Sequence, residues 1–145
     1  MPKARVLFLC THNSARSQMA EGLLRAAAGD RFEVHSAGTV ATTVRPEAAQ
    51  VMAEIGVDIA GHESKTLDRF RTQAFDWVIT VCDDAAEACP VFPGPARRLH
   101  WSLPDPGAVV GDEERRLAAF RKVRDRLRAL IGEFVRGRAG DPRVP

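Results

Sequence analysis

The feature that most constrains this chain is a seven-residue turn between a short apolar segment and a helical pattern. Its residues are Cys10-Thr11-His12-Asn13-Ser14-Ala15-Arg16. Apolar residues 6–9 before the turn predict a buried strand, and a helical pattern begins near Ser17. A strand-to-helix turn can direct backbone N–H groups inward at a helix N-terminus, so it favours the binding of a tetrahedral oxyanion.

Cys10 and Arg16 supply the chemistry of this turn. The electric field of the helix end favours a thiolate over a thiol, which makes a cysteine reactive at neutral pH. Arg16 can hold two oxygens of one anion. Because the chain has 18 arginines, the spacing alone is weak evidence, and the strand and helix around it give the motif its weight. The alternative is a buried strand-end thiol that packs as a small hydrophobe.

Length and composition predict one globular domain. The 145 residues are 45% hydrophobic and carry a net charge of +2, and a chain of this length buries roughly 70% of its unfolded surface. Basic residues do not form a dense block with interleaved aromatics, so we expect no nucleic-acid partner. With no stretch long enough to span a bilayer and no signal-peptide core, we expect a cytoplasmic protein that does not bind membranes.

Apolar periodicity predicts strands that alternate with helices. The predicted strands are residues 5–9, 32–36, 75–81 and 98–101, and the predicted helices are 17–28, 46–55 and 112–135. This alternation favours a parallel sheet that is covered on both faces. We therefore predict an α/β three-layer sandwich with a central four-stranded parallel sheet. Residues 1–136 would form a single catalytic domain, and 137–145 a flexible tail.

Two further cysteines, Cys82 and Cys89, follow the third predicted strand, so Cys82 and Cys10 should share one sheet edge. In a reducing compartment we expect all three thiols to be reduced at rest. Residues 82–89 are typical of a short helix, which would separate its ends by about 10.5 Å. A disulfide requires Cα atoms within roughly 4.4–6.8 Å. A Cys82–Cys89 bond would therefore unwind the segment; the alternative is two unrelated buried thiols.

Two further points concern a carboxyl group in a loop and the spacing of residues that could bind a metal ion. Asp105-Pro106 lies in a loop after the fourth predicted strand, where a carboxyl could protonate an oxygen that leaves the anion. By itself, Asp-Pro in a loop is more often only a turn. The cysteines and histidines lack the spacing of a zinc site, so we expect no bound metal.

The run from Cys10 to Glu21 closely resembles the opening of the thioredoxin-coupled arsenate reductases, which share the fold of the low-molecular-weight protein tyrosine phosphatases. The resemblance extends to Ser36-Ala37-Gly38, to the Cys82/Cys89 pair and to Asp105-Pro106, and so covers nearly the whole chain. It implies no bound cofactor and a monomer that binds arsenate, with phosphate or sulfate as competing oxyanions.

The resemblance also implies a relay of three cysteines. Cys10 would attack arsenate held by the amides of residues 11–17 and by Arg16, while Ser17 would hydrogen-bond the thiolate and Asp105 would act as general acid. Cys82 would then attack Cys10 and release arsenite. Cys89 would attack Cys82, and thioredoxin would reduce the resulting disulfide. Glutaredoxin and mycothiol systems are the alternative reductants.

One position departs from the resemblance. Many arsenate reductases of this family bind potassium through residues that correspond to Asn13, Glu21 and Ser36, together with an acidic side chain. The acidic position corresponds here to Lys65. We hypothesise that the Lys65 ammonium takes the place of the cation and pairs with Glu21. The alternative is a solvated surface lysine.

Two other functions remain open on the sequence. A phosphatase would use the turn of residues 10–16, called the oxyanion loop below, and Asp105 equally well, but it has no use for Cys82 and Cys89. Moreover, Gly107 stands where phosphatases of this fold tend to carry an aromatic residue. A non-enzymatic oxyanion-binding or redox-sensing module would keep the loop without needing three thiols that act in sequence.

Overall fold

Strands and helices alternate along most of the chain in a computed structural model that describes residues 3–83 and 90–138. The elements of regular structure in these residues are β1 (Ala4–Cys10), α1 (Arg16–Ala28), β2 (Phe32–Gly38), α2 (Pro46–Ala53), β3 (Trp77–Thr80), β4 (Arg97–His100) and α3 (Glu113–Glu133). Two short 3₁₀ helices (Leu67–Phe70 and Pro106–Ala108) and a π-helical turn (Phe134–Arg138) complete them. Of the helices described, none combines the length and apolarity needed to cross a membrane.

The four strands form one parallel sheet in the order β2-β1-β3-β4. Cys10, the last residue of β1, pairs with Gly38 of β2, and Leu9 pairs with Thr80 of β3. All four carboxyl ends therefore lie at one edge of the sheet, where α/β proteins bind ligands. The predicted α/β fold with a four-stranded parallel sheet is confirmed.

The central strand β1 is buried on both faces, because its side chains alternate between two apolar clusters. Val6, Phe8 and Cys10 pack in the larger cluster with residues of the three α-helices. Leu7 and Leu9 pack in the smaller cluster, whose aromatic members are Phe70, Phe75 and Phe92. The strand that carries Cys10 is thus held from both sides.

The observed ends of the elements differ slightly from the predicted ends. The third strand, Trp77–Thr80, is shorter than the predicted 75–81. Just before it, Asp76 still pairs with Arg5: its backbone N–H donates to the Arg5 carbonyl oxygen at 2.9 Å, and its carboxylate accepts the Arg5 N–H at 2.7 Å. Helix α3 begins one residue late because Asp112 caps it and accepts the Arg115 N–H at 2.9 Å. The predicted helix over 82–89 falls mostly outside the described residues, as does most of the predicted tail over 137–145.

Candidate active site

The turn between β1 and α1 is a tight loop closed by two unusual backbone positions. Asn13 has φ +49°, in the left-handed region that asparagine tolerates better than most residues. On the facing strand, a Cβ at Gly38 would lie 2.7 Å from the Thr11 carbonyl oxygen and 2.8 Å from the Asn13 nitrogen. Glycine therefore lets β2 end directly against the loop, which fixes the position of the loop above the sheet.

Cys10 lies at the base of this loop and is only 2% exposed. Its Sγ is 2.8 Å from Ser17 Oγ, and the same oxygen accepts a hydrogen bond from Asn13 Nδ2 at 2.8 Å. Because Ser17 Oγ accepts from Asn13, the hydroxyl proton of Ser17 is available to the sulfur. A hydroxyl that donates to the sulfur stabilises the thiolate, which is the nucleophilic form.

The orientation of the Asn13 amide is fixed from its other end. Its Oδ1 accepts the Lys65 backbone N–H at 2.8 Å and Gln18 Nε2 at 2.9 Å. Nδ2 must then point toward the two hydroxyls, Ser17 Oγ and Ser36 Oγ, the second at 2.9 Å. The amide that donates to Ser17, the hydroxyl in contact with Cys10, is thus oriented by residues on the far side of the loop.

Behind the loop, the network reaches a buried carboxylate. Ser36 Oγ donates to Glu21 Oε1 at 2.7 Å, and Glu21 is 5% exposed. Lys65 Nζ lies 3.8 Å from the same oxygen and donates to the Glu63 carbonyl oxygen at 2.7 Å, with its side chain 10% exposed. Burial lowers the pKa of Lys65, although the charge of Glu21 opposes the change.

Glu21 has two more cationic or polar neighbours that sequence reasoning did not find. Arg25 Nη1 lies 3.0 Å from Glu21 Oε2, and His62 Nδ1 lies 3.5 Å from it. His62 Nδ1 is also 3.0 Å from Gln18 Oε1. Burial lowers the pKa of His62, and Glu21 opposes that effect. The spacing of Arg25, four residues after Glu21 on α1, was the available signal for the first contact.

The segment after β4 carries Asp105 to the same edge of the sheet. Arg16 is 3% exposed, and its Nη1 donates to the Leu103 carbonyl oxygen at 3.0 Å. The Leu103 N–H donates to the Cys82 carbonyl oxygen at 3.4 Å. Asp105 is half-buried, and its Oδ1 accepts the Gly107 N–H at 2.9 Å. The oxyanion loop, Asp105 and the second cysteine therefore meet at one end of the sheet.

The two cysteines in the described residues differ in state. Cys10 is a free thiol, whereas Cys82 is disulfide-bonded. Cys82 is fully buried two residues beyond β3, and its Sγ lies 4.0 Å from the carbonyl oxygen of Leu9, the residue before Cys10. The prediction for Cys89 lies outside the described residues.

A cleft of about 340 Å³ opens beside the oxyanion loop. It is lined by His12, Ser14, Thr42, Thr43, Arg45, Asp105 and Gly107. His12 is exposed, and its carbonyl oxygen accepts from Thr42 Oγ1 at 3.3 Å and from Ser64 Oγ at 3.2 Å. Arg45 lines this cleft, and the sequence analysis did not identify it as a site residue.

Comparisons with known proteins agree with this geometry. The family model described as low molecular weight phosphotyrosine protein phosphatase matches residues 5–139. The chain is 44% identical over 135 residues to an arsenate reductase of Halalkalibacterium halodurans, and the match covers 93% of this chain and 97% of that protein.

Two solved structures extend these comparisons. A structure described as an arsenate reductase in the phosphate binding state matches with a TM-score of 0.78 and 30% identity, over 92% of this chain and 97% of that one. A thioredoxin-dependent arsenate reductase of Corynebacterium glutamicum matches with a TM-score of 0.64 and 32% identity, over 91% of this chain and 62% of that one. The protein belongs to the low molecular weight phosphotyrosine protein phosphatase family.

Proposed function

We propose that this protein is an enzyme that reduces arsenate to arsenite, with Cys10 as the nucleophile and thioredoxin as the reductant. The relatives that match most of the chain are arsenate reductases, and one structural neighbour is thioredoxin-dependent. The observation that carries the proposal is a free Cys10 beside Ser17, with a disulfide-bonded Cys82 at the same sheet edge. A phosphatase needs no second redox-active thiol.

In the first step, arsenate would bind in the loop, where amides of residues 11–17 and Arg16 hold its oxygens. The Cys10 thiolate attacks arsenic and forms an As–S bond. The As–O bond to a hydroxyl group of the arsenate breaks, and Asp105 gives its proton to that hydroxyl, which leaves as water. Asp105 lines the cleft beside the loop, so the departing oxygen has a path to solvent. Arsenic is still pentavalent after this step.

In the second step, the Cys82 thiolate attacks Cys10 Sγ and forms a disulfide. The electron pair of the As–S bond passes to arsenic, which leaves as trivalent arsenite. The short distance between Cys82 Sγ and the Leu9 carbonyl oxygen, 4.0 Å, supports a Cys82 that approaches the base of the loop. Each exchange requires a thiolate and an accessible sulfur.

In the third step, the Cys89 thiolate attacks Cys82 Sγ and releases Cys10 as a thiolate. The two thiols of thioredoxin then reduce the Cys82–Cys89 disulfide, so two electrons from thioredoxin balance the two that arsenic gained. A free Cys10 together with a disulfide-bonded Cys82 is the pattern that this relay predicts after the Cys89 attack. We propose that the protein works in the cytoplasm, because the relay depends on reduced thiols, and that it works as a monomer.

Lys65, in this proposal, takes the place of a potassium ion behind the loop. The oxygens there do not fit a cation site, because protein donors already engage them. Asn13 Oδ1 accepts two N–H groups, and Ser36 Oγ donates to Glu21. The Lys65 ammonium supplies the positive charge beside Glu21.

Single cysteine-to-serine variants test the relay. Each would be assayed with arsenate, thioredoxin, thioredoxin reductase and NADPH, with measurement of arsenite and NADPH. Cys10→Ser and Cys82→Ser should release no arsenite. Cys89→Ser should release arsenite for a single round and then stop, because its Cys10–Cys82 disulfide cannot be passed on.

The outcomes separate the candidate functions. If Cys89→Ser cycles at the wild-type rate, the relay is wrong. If the wild-type protein hydrolyses an aryl phosphate but releases no arsenite, the protein is a phosphatase. If it binds phosphate and does neither, it is a binding module. Wild-type protein without thioredoxin is the control for reduction by other thiols in the assay.

A further inference from the structure

Arg45 joins the oxyanion loop to the loop that carries Asp105. Its backbone N–H donates to the Ser14 carbonyl oxygen at 2.8 Å. Its Nη2 donates to the Gly107 carbonyl oxygen at 3.0 Å. The guanidinium carbon also lies 5.9 Å from the centre of the Phe120 ring on α3, within the range of a cation–π contact. Arg45 is half-buried, and it contacts both sides of the cleft: the oxyanion loop through its backbone N–H and the Asp105 loop through its guanidinium.

The guanidinium occupies the space that a side chain at position 107 would need. A Cβ built on Gly107 would lie 2.7 Å from Arg45 Nη2 and 3.1 Å from its Cζ. The glycines with positive φ in the described residues are Gly56, Gly94 and Gly111. Gly107 is not one of them, so a glycine is needed there for lack of space and not for the backbone conformation. Glycine at this position admits the arginine.

The position of Asp105 determines which part of a substrate meets Arg45. A general acid must lie within hydrogen-bond reach of the oxygen that it protonates. The leaving group of any bound oxyanion or ester therefore points into the cleft that Asp105 lines with Arg45. For arsenate the leaving group is a single oxygen, which a guanidinium can hydrogen-bond. For an aryl ester it is an apolar ring, which would displace water from that cation without replacing its hydrogen bonds.

We propose that Arg45 is a positioning and specificity-determining residue that makes this cleft select small inorganic oxyanions over aryl phosphate esters. It holds the Asp105 loop at a fixed distance from the oxyanion loop and presents a permanent positive charge to the leaving oxygen. This inference rests on the proposed function for the identity of the substrate, arsenate, but its consequence for anion binding can be measured without any thiol exchange.

The test compares the binding of inorganic phosphate and phenyl phosphate by calorimetry, in a Cys10→Ser background that prevents turnover of the ester. Arg45→Ala should weaken phosphate binding about tenfold, because a charge-assisted hydrogen bond is lost. The same change should weaken phenyl phosphate much less, so the phosphate-to-ester affinity ratio falls at least threefold. Arg45→Lys retains the charge and should recover part of the phosphate affinity.

Two further variants keep the test decisive. Gly107→Ala should push the guanidinium away and lower the same ratio, even if Arg45→Ala folds poorly. Arg126→Ala removes one exposed arginine from α3 and should change neither affinity. The proposal is wrong if Arg45→Ala alters both affinities by the same factor, or if it behaves like Arg126→Ala. It is also wrong if the parent protein does not bind phosphate.

The proposed function can fail separately. If the wild-type protein releases no arsenite but the affinity ratio shifts as expected in the Arg45 variants, the relay is wrong and the role of Arg45 in ligand selection stands. If arsenite is released and the ratio does not shift, only the role of Arg45 is wrong.

Discussion

Two polar clusters of this protein contain ion pairs but differ in burial. Behind the oxyanion loop, the Glu21 side chain is 6% exposed, and its cationic partners Arg25 and Lys65 lie at 3.0 and 3.8 Å. Between α2 and α3, Glu54 is 34% exposed and lies 2.8 Å from both Arg121 and Arg124. The carboxylate of Glu54 is thus more exposed than that of Glu21, yet its ion pairs are shorter.

The difference in burial decides what each cluster contributes. In the described residues, every buried side-chain nitrogen and oxygen has a hydrogen-bond partner. Removal of one partner inside the first cluster leaves another atom unsatisfied in a dry interior, which is costly. The pair of Glu54 with Arg121, whose side chains are 34% and 32% exposed, loses little, because water replaces the lost partner. Short distances therefore do not identify the cluster that matters for the site.

The largest effect should come from Asn13→Ala. This change removes the donor to Ser17 and Ser36 and the acceptor of the Lys65 N–H. We expect the free energy of unfolding to fall by about 3 kcal/mol, from unsatisfied partners and a strained positive φ. Single-turnover arsenite release should slow at least tenfold, because Ser17 loses its orientation. Urea denaturation and rapid-quench assays would measure the two effects.

Asn13→Gly separates the effect of backbone strain from the effect of the lost side-chain hydrogen bonds. Glycine tolerates the positive φ at position 13 but supplies neither donor nor acceptor. If Asn13→Gly matches the wild type in stability and in turnover, the buried network is dispensable, and the contrast between the two clusters is wrong.

An intermediate effect is expected for Lys65→Met, which keeps the length of the side chain and removes the ammonium. The loss of a charged partner for Glu21 should cost about 1.5 kcal/mol of stability. Arsenate turnover by the wild type should be the same in potassium and in sodium, whereas Lys65→Asp should gain activation by potassium. Lys122→Met, at an exposed position of α3, is the matched control. Strong activation of the wild type by potassium alone would contradict the hypothesis.

The smallest effect should come from Glu54→Gln. Hydrogen bonds from Arg121, and then from Arg124, lower the pKa of Glu54 from 4.5 to about 2. Since the pKa is lower in the folded state, the contribution of Glu54 to stability is present above pH 4.5 and is lost as the pH falls toward about 2. The difference in unfolding free energy between wild type and variant should therefore shrink over this interval. Urea titrations at several pH values would measure it.

Glu133→Gln, at an exposed position of α3, is the control for a general charge effect. A Glu54→Gln difference that stays constant down to pH 2 would contradict the assigned cause. A difference as large as that of Asn13→Ala would remove the distinction between the clusters.

The fold and the loop that surrounds Cys10 could be predicted from the sequence, because their signals are local. The apolar run, the turn and the helix that follow one another around Cys10 are encoded by neighbouring residues. The partners of Glu21 were only partly predictable. His62 lies 41 residues after Glu21 in the sequence (62 − 21), and no periodicity brings the two together.

The contact between Arg45 and Gly107 was missed for the same reason, since 62 residues separate them. In a sequence, a glycine that makes room for a distant side chain cannot be distinguished from a glycine in a turn. The start of β3 was also missed. Asp76, just before the strand, pairs with Arg5 through both its backbone N–H and its carboxylate, and 71 residues separate the two in the sequence.

The close approach at Gly38 limits how this protein can vary. A Cβ at that position would meet backbone atoms of the loop at 2.7 and 2.8 Å, and backbone atoms cannot swing aside as a side chain can. In a library randomised at position 38, even alanine should be lost under selection for activity. A redesign of the substrate cleft can therefore change the residues that line its opening, but it can change almost nothing at Gly38, the last residue of β2.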